Sequence, residues 1–353
     1  MTTESARSRC QQRLLRICEA EIDADALRLE VVEELRRTIG FAAWGWPLAD
    51  PDSLLATSGV ADASMWTIVP RLVAYEERPE DVNKDRALAT RGDPVGVLSN
   101  TTRGQLGRSN RWRDILGPFG FGDELRTACV DRYGCWGHLR LYRDSSDHAF
   151  GSPDADLLRN VAPVIGSALR RANVRPARAG TVEPLAPGIV ILDENLSVRS
   201  WTHEAGQWFE AFAGNTPARG ANARCTVFAT ASRCLADDGS RDMPPTRARL
   251  RLADGRWVVA EAARLNGPDH GIVVTVRAAT TIDVLDILAR AHGLTPRERE
   301  LVASLIGGLD TRDIAQLLSI SRHTVQQHLK AVFDKVGVHS RRELVTGIFA
   351  SHA

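Results

Sequence analysis

Apolar positions along this chain change period several times, and each change marks an element. From residue 4 to 20 and from 24 to 38 they fall at helical spacing among charges, with Leu27, Leu29, Val32 and Leu35 forming the stripe of the second stretch. The period then shortens. Phe41–Trp46 and Leu54–Gly59 read as strands, Ser64–Glu77 returns to helix, and Val95–Ser99 is a short strand. Helical turns follow over Asn110–Leu116. Glu124–Val130 and Cys135–Tyr142 form a hairpin around the turn Asp131-Arg132-Tyr133-Gly134, and Ser152 is expected to cap a long helix over 153–173.

Residues 174–187 hold three prolines and a glycine among small residues, the composition of a linker. Beyond it, Gly188–Asp193 and Ser197–Trp201 alternate as a strand pair around Glu194-Asn195, and a helix runs through Ala205–Phe212. Arg247–Leu252 and Arg256–Ala262 form a second hairpin turning at Asp254-Gly255, and Gly271–Arg277 is a last strand. An amphipathic stretch marked by Ile282, Leu285, Leu288 and Ala289 leads on from it.

The last sixty residues change character again, into short helices with explicit stops and starts. Thr295-Pro296-Arg297-Glu298 combines a hydroxyl acceptor, a proline at the first helical position and a carboxylate three residues on, which is a capping box. That helix buries Leu301, Val302, Leu305 and Ile306 and stops at Gly307-Gly308. Asp310 caps a second helix with Ile314, Ala315, Leu317 and Leu318 inside, and Ser321 caps a third whose stripe is Val325, Leu329, Val332 and Val336, ended by Gly337. Opposite that stripe stand His323, Gln326, Gln327 and Lys330: amides able to pair bidentately with adenine, and cations for guanine or phosphate. Ser340–Glu343 opens a fourth helix carrying Leu344, Val345, Ile348 and Phe349.

Composition narrows the class. The 353 residues carry a net charge of +1, so affinity for a polyanion has to come from local geometry and not from a bulk field. Residues 293–353 hold eight Lys/Arg and six Asp/Glu, a net +2 that a dimer doubles. No apolar run approaches the roughly 20 residues that span a bilayer, and the charged start MTTESARSRC lacks a signal-peptide core, so the expected location is the cytoplasm with no membrane partner. Six cysteines form no CxxC pair and no zinc-like spacing with histidine, which gives no metal site. Neither a phosphate-binding Gly-x-x-x-x-Gly-Lys loop, nor HExxH, nor Gly-x-Ser-x-Gly is present, so no catalytic residues are assigned and no enzyme is expected.

The carboxy-terminal run resembles the LuxR/GerE-type helix-turn-helix domain, matching at L-T-x-R-E, G-L, I-A-x-L-L, S-x-x-T-V-x-x-H, K-V-G-V and S-R-x-E-L. The resemblance implies a third helix in the major groove of double-stranded DNA, with Gln326, Gln327 and Lys330 facing bases, Thr324 on the phosphate side, and Ser321, Arg322, His323 and Lys335 completing the interface. It implies dimerisation through the fourth helix. Members often carry lysine where this chain has Gln326, which weakens phosphate attraction here.

Residues 24–173, with DVNK at 81–84, WRDILGPFGFGDELR at 112–126 and CWGHLRLYR at 135–143, look like the GAF-like sensor of a group of these regulators. That resemblance implies a six-stranded antiparallel sheet with helices on one side and a ligand cavity opposite. Aromatics concentrate there, and Trp44, Trp66, Tyr75 and Trp136 are the candidate walls for an apolar small-molecule effector, against the plainer reading that they are core. The ββα…βββ order of 188–279 resembles a small PAS domain. It lacks the reactive-cysteine flavin motif, and His203 stands alone, so no cofactor is expected and the segment reads as a spacer and dimerisation platform.

The expected architecture is α+β and multidomain: an amino-terminal helix (1–23), a GAF-like α/β sensor (24–173), a linker (174–187), a PAS-like domain (188–279), a connecting helix (280–292) and an all-α LuxR-type module (293–353). The function it implies is a dimeric, sequence-specific transcription regulator under sensor control, with RNA polymerase as a further candidate partner. Two rival readings remain: a redox sensor or sensor enzyme using Cys129 and Cys135, and an adaptor whose helical module binds protein instead of DNA.

Overall fold

The computed structural model describes residues 3–78, 80–175, 185–213, 217–237, 245–252, 254–266 and 271–344. The expected helices at the start are α1 (Thr3–Glu19) and α2 (Ala24–Ile39), the second capped by Asp23, whose carboxylate accepts from the amides of Asp25 and Ala26. Strands β1 (Ala43–Ala49) and β2 (Ala56–Ala61) follow, then a 3₁₀ turn over Ala63–Thr67, α3 (Val69–Glu76), α4 (Asp85–Thr90), β3 (Val95–Val97) and the single turn α5 (Leu98–Thr101). A π-helical turn at Trp112–Leu116 precedes the long hairpin of β4 (Phe121–Asp131) and β5 (Gly134–Asp144), and α6 (Ser152–Ala172) completes the unit. Gly151, not Ser152, is the cap of α6, and the Asp154 carboxylate turns back to accept from the Gly151 amide.

The first sheet is antiparallel with order β2-β1-β5-β4-β3. It has five strands and not the expected six. One face packs under α1, α2 and α6 through Leu14, Val31, Leu35, Leu141, Leu158 and Ile165. The other is covered by α3 and the π-helical turn, with Met65, Leu72, Ile115, Phe121 and Tyr142 between them.

The middle unit repeats the pattern at smaller scale. Strands β6 (Gly188–Leu192), β7 (Val198–Trp201), β8 (Arg247–Arg251), β9 (Trp257–Leu265) and β10 (Gly271–Ala278) form a sheet of order β7-β6-β10-β9-β8, with α7 (His203–Ala213) and α8 (Pro217–Ala236) between its halves. Helix α8 was not expected from the sequence. Trp208, Val227 and Ala231 pack both helices onto Val190, Val258 and Val274. Helix α8 also reaches the amino-terminal unit: Ser232 Oγ donates to the Ala74 carbonyl at 3.2 Å, and Arg233 pairs with Glu77 and donates to the Ser53 carbonyl.

On the reverse face of the second sheet, Trp257 and Val259 join the core that holds α9 (Thr281–Ala291), with Val284, Ile287, Leu288 and Ala291 inside. Ile282, expected on the buried stripe, is 79% exposed. The same core runs on into the last unit, α10 (Pro296–Ile306), α11 (Thr311–Leu317), α12 (Arg322–Val336) and the start of a fourth helix, α13 (Arg341–Glu343). Val345, Ile348 and Phe349, and most of the 174–187 linker, lie outside the described residues. Among the described residues no helix is long and apolar enough to cross a membrane.

Candidate nucleic-acid interface

Helix α12 owes its position to two neighbours. Val325, Leu329 and Val332 are buried against α10 and α11, where Leu301, Val302, Ile314 and Ala315 meet them. Ser321 Oγ accepts from the Thr324 amide at 3.0 Å, and Gly337 closes the far end at φ +78°, a left-handed cap that glycine adopts without a Cβ clash. Leu317, expected inside α11, is 62% exposed, while Leu318 takes the buried position.

Three side chains of the Thr295–Glu298 box hold the fold of this unit. Thr295 and Glu298 cap each other reciprocally, the Thr295 amide donating to Glu298 Oε2 at 2.7 Å and the Glu298 amide to Thr295 Oγ1 at 3.3 Å. Arg297 donates to the Leu318 carbonyl at the end of α11. Glu298 also receives Lys335 Nζ on both carboxylate oxygens, at 2.8 and 2.6 Å, which ties the last turn of α12 to the start of α10. Burial raises the Glu298 carboxyl pKa, but the Lys335 ammonium and the Thr295 bonds outweigh it and leave the group below its ordinary value. Lys335, expected to meet DNA, is thus bound within the fold.

The remaining expected contacts stand on the outer face. Ser321, Arg322, His323, Gln326, Gln327 and Lys330 are exposed and Thr324 is half-buried. Gln326 and Lys330 have no hydrogen-bond or ion-pair partner among the described residues, whereas Gln327 Nε2 lies 3.1 Å from His323 Nε2. That contact orients one amide of the pair. Thr324 Oγ1 lies 2.8 Å from Ser321 Oγ, so this hydroxyl braces the cap.

The candidate effector walls do not converge. Trp66 lines a cavity of about 30 Å³ with Trp46, Met65, Leu72, Arg140, Tyr142 and Cys225, and its indole Nε1 is buried without a partner. Tyr75 packs beside that group and donates to Asp114 at 2.8 Å. Trp44 and Trp136 lie in the core under α1, α2 and α6, on the opposite side of the sheet, and Trp136 Nε1 donates to Asp131 at 3.0 Å.

What sequence reading did not find is how the three quoted amino-terminal motifs meet. Asp81 accepts from Ser109 Oγ and the Arg111 amide, both at 2.8 Å, and Arg111 pairs with Glu124 at 2.7 Å. Arg126 bridges Glu76 and Asp85 at 2.7 and 2.9 Å and donates to the Asn83 carbonyl, and Arg140 closes on Asp85 from the other side. Burial pushes the Asp85 carboxyl up, but the two guanidiniums hold it far below the usual range, and burial holds His138 down toward its neutral form. No local signal announced this network, because the partners lie in different motifs, 13 residues apart for Arg111 and Glu124 and 55 for Asp85 and Arg140.

The six cysteines are free and buried. Burial raises the Cys129 thiol well above its ordinary value and Cys135 to about 12, so neither is a ready thiolate.

Residues 292–347 match the family model of bacterial regulatory proteins of the luxR family. They form a luxR-family helix-turn-helix domain. The chain is 36% identical over 98 residues to the probable transcriptional regulatory protein SgaR of Hyphomicrobium methylovorum, covering 26% of this chain and 46% of that one. It is 36% identical over 61 residues to the transcriptional regulatory protein DesR of Bacillus subtilis, covering 17% and 31%. The chain thus spans less than half the length of these curated relatives. Escherichia coli SdiA superposes over 98% of both chains at 10% identity with a TM-score of 0.39, too low to establish a shared overall architecture. Within the luxR-type domain, α11 and α12 are the helix pair, and α12 carries the outward polar face.

Proposed function

We propose that the protein is a sequence-specific transcription regulator that binds double-stranded DNA through the outer face of α12, with no catalytic activity of its own. The observation that carries this is the exposed row His323, Gln326, Gln327 and Lys330 on a helix whose opposite side buries Val325, Leu329 and Val332. Such a row meets base edges in the major groove, while Arg322 and the half-buried Thr324 lie where phosphates pass. The luxR-family match of 292–347 supports the reading, as do the regulatory relatives. An adaptor role would not require two amides and an unpaired ammonium on one face.

Dimerisation belongs to the same proposal, with half-sites about one helical turn apart. Exposed Ile189, Val198 and Trp201 on β6 and β7 support the middle unit as the platform. Signal input is assigned to the amino-terminal unit. Its cavity beside Trp66 holds about one water, so an apolar effector enters there only if α3 or α8 moves outward. The redox reading loses its support with Cys129 and Cys135 buried and their thiol pKa values raised. Gel-shift titration of the full chain against promoter fragments from its own genome tests the proposal: saturable, sequence-dependent shifts are expected, and equal affinity for every duplex contradicts it.

A further inference from the structure

A second, larger cavity lies where the amino-terminal unit meets the helix-turn-helix domain. It is an open cleft of about 700 Å³, walled on one side by the β4–β5 turn Asp131, Arg132, Tyr133 and Gly134, and on the other by Arg290, Leu294, Thr295, Pro296, Arg299 and Lys335. Gly293 lets the walls approach: it sits at φ +73°, and a Cβ there would lie 3.0 Å from the Tyr133 hydroxyl.

The charges of this cleft do not cancel. Arg290 and Arg299 share one carboxylate, Asp286, at 2.6 and 2.7 Å. Lys335 is matched by Glu298, and Asp131 by Arg170 behind it. Arg132 is exposed and has no ion pair among the described residues; its guanidinium stacks 4.7 Å from the Tyr133 ring. Five cations therefore face three carboxylates. The first turn of α10 opens onto the same space through Thr295 and Pro296, adding the positive end of a helix dipole.

We propose that this cleft binds a small phosphate-bearing molecule, a phosphate ester or diphosphate whose two negative charges match the two uncompensated cations. Arg132 and Arg299 approach the phosphate from opposite walls, as guanidiniums do when they bracket a tetrahedral oxyanion. The size fits the class: the cleft's volume of about 700 Å³ falls within the roughly 300–1,000 Å³ range of small-molecule sites. Because one wall belongs to the hairpin and the other to α9 and α10, an occupant touches both units and biases how the DNA-reading helices sit against the rest of the chain.

The test is calorimetric titration of the full-length protein, without duplex, using inorganic pyrophosphate and adenosine 5′-monophosphate as probes. At least one probe is expected to bind saturably, with affinity reduced roughly tenfold or more in Arg132→Ala and unchanged in Lys330→Ala. Arg132 is exposed, so its variant should unfold at the wild-type temperature in probe-free buffer. Absence of binding by both probes overturns the proposal, as does an Arg132→Ala protein that binds like wild type. A loss of duplex affinity in Arg132→Ala without any small anion also overturns it, because the cleft would then belong to the DNA interface. The calorimetric arm contains no DNA, so its failure leaves the reading of α12 standing.

Discussion

Arg249 of β8 grips Asp50 of the amino-terminal unit as a buried fork: Nε donates to Oδ2 at 2.8 Å, Nη2 to Oδ1 at 2.7 Å, and the Arg249 amide adds a third bond to Oδ2 at 2.8 Å. The two side chains are 2% and 1% exposed, and Nη1 reaches on to the Asp283 carbonyl in α9 at 3.0 Å. One guanidinium thus touches the first sheet, the second sheet and the connecting helix. Asp50→Ala removes all three of these bonds and leaves the buried cation only the exposed Asp52 carboxylate at 3.4 Å, and the expected cost is about 3–5 kcal/mol in urea unfolding. A loss under about 1 kcal/mol would show that the units do not rest on each other at this point.

The Glu298–Lys335 pair predicts an acid limit for the helix-turn-helix domain. The folded carboxyl pKa is depressed, so the stabilisation is fully present above the unfolded glutamate value of about 4.3 and is lost as pH falls through the lower folded value. Glu298→Gln should lower stability at neutral pH and flatten this part of the acid limb. Circular dichroism melts at stepped pH check it, and an unchanged acid slope in the variant counts against the pair.

Gly293→Ala meets two obstacles at once: a left-handed backbone at φ +73° and the Tyr133 hydroxyl 3.0 Å from the new Cβ. The expected result is a loss of about 1–2 kcal/mol with the helix-turn-helix domain displaced from the hairpin. Limited proteolysis around 293 should quicken. Wild-type resistance in the variant would mean that the hairpin does not bear on this glycine.

The His323–Gln327 contact at 3.1 Å predicts a change in discrimination more than in affinity. His323→Ala frees the Gln327 amide to rotate, so the penalty for a changed base opposite it should fall below the usual ~1–3 kcal/mol per mismatch. Competition binding with single-base variants of the operator measures this, and an unaltered penalty contradicts the orienting role.

Legibility in the sequence followed the locality of the forces. The caps at Thr295, Asp310 and Ser321 and the stop at Gly337 were readable because each depends on residues within one turn of itself. The outward row on α12 followed from the buried stripe opposite. Burial set by distant packing was not readable: Leu317 and Ile282 lie at helical spacing yet face outward, and the mixed composition of α8 gave no period to find. The long-range ion pairs were hidden for the same reason. Asp85 and Arg140 are 55 residues apart, Asp50 and Arg249 are 199 apart, and nothing local in either partner announces the other. The Lys335 pairing with Glu298 was hidden because a lysine near the end of a reading helix looks alike whatever anion it meets.

The central claim is that the exposed face of α12 reads duplex DNA, and the salt dependence of binding by Lys330→Ala and wild-type protein to one operator tests it most directly. The account predicts a linear fall of log affinity with log salt in the wild type. In Lys330→Ala it predicts a loss of about 1–3 kcal/mol and, where Lys330 meets a phosphate, a slope shallower by about 1. Wild-type protein that ignores duplex at every ionic strength, or a variant indistinguishable from it, would contradict the account.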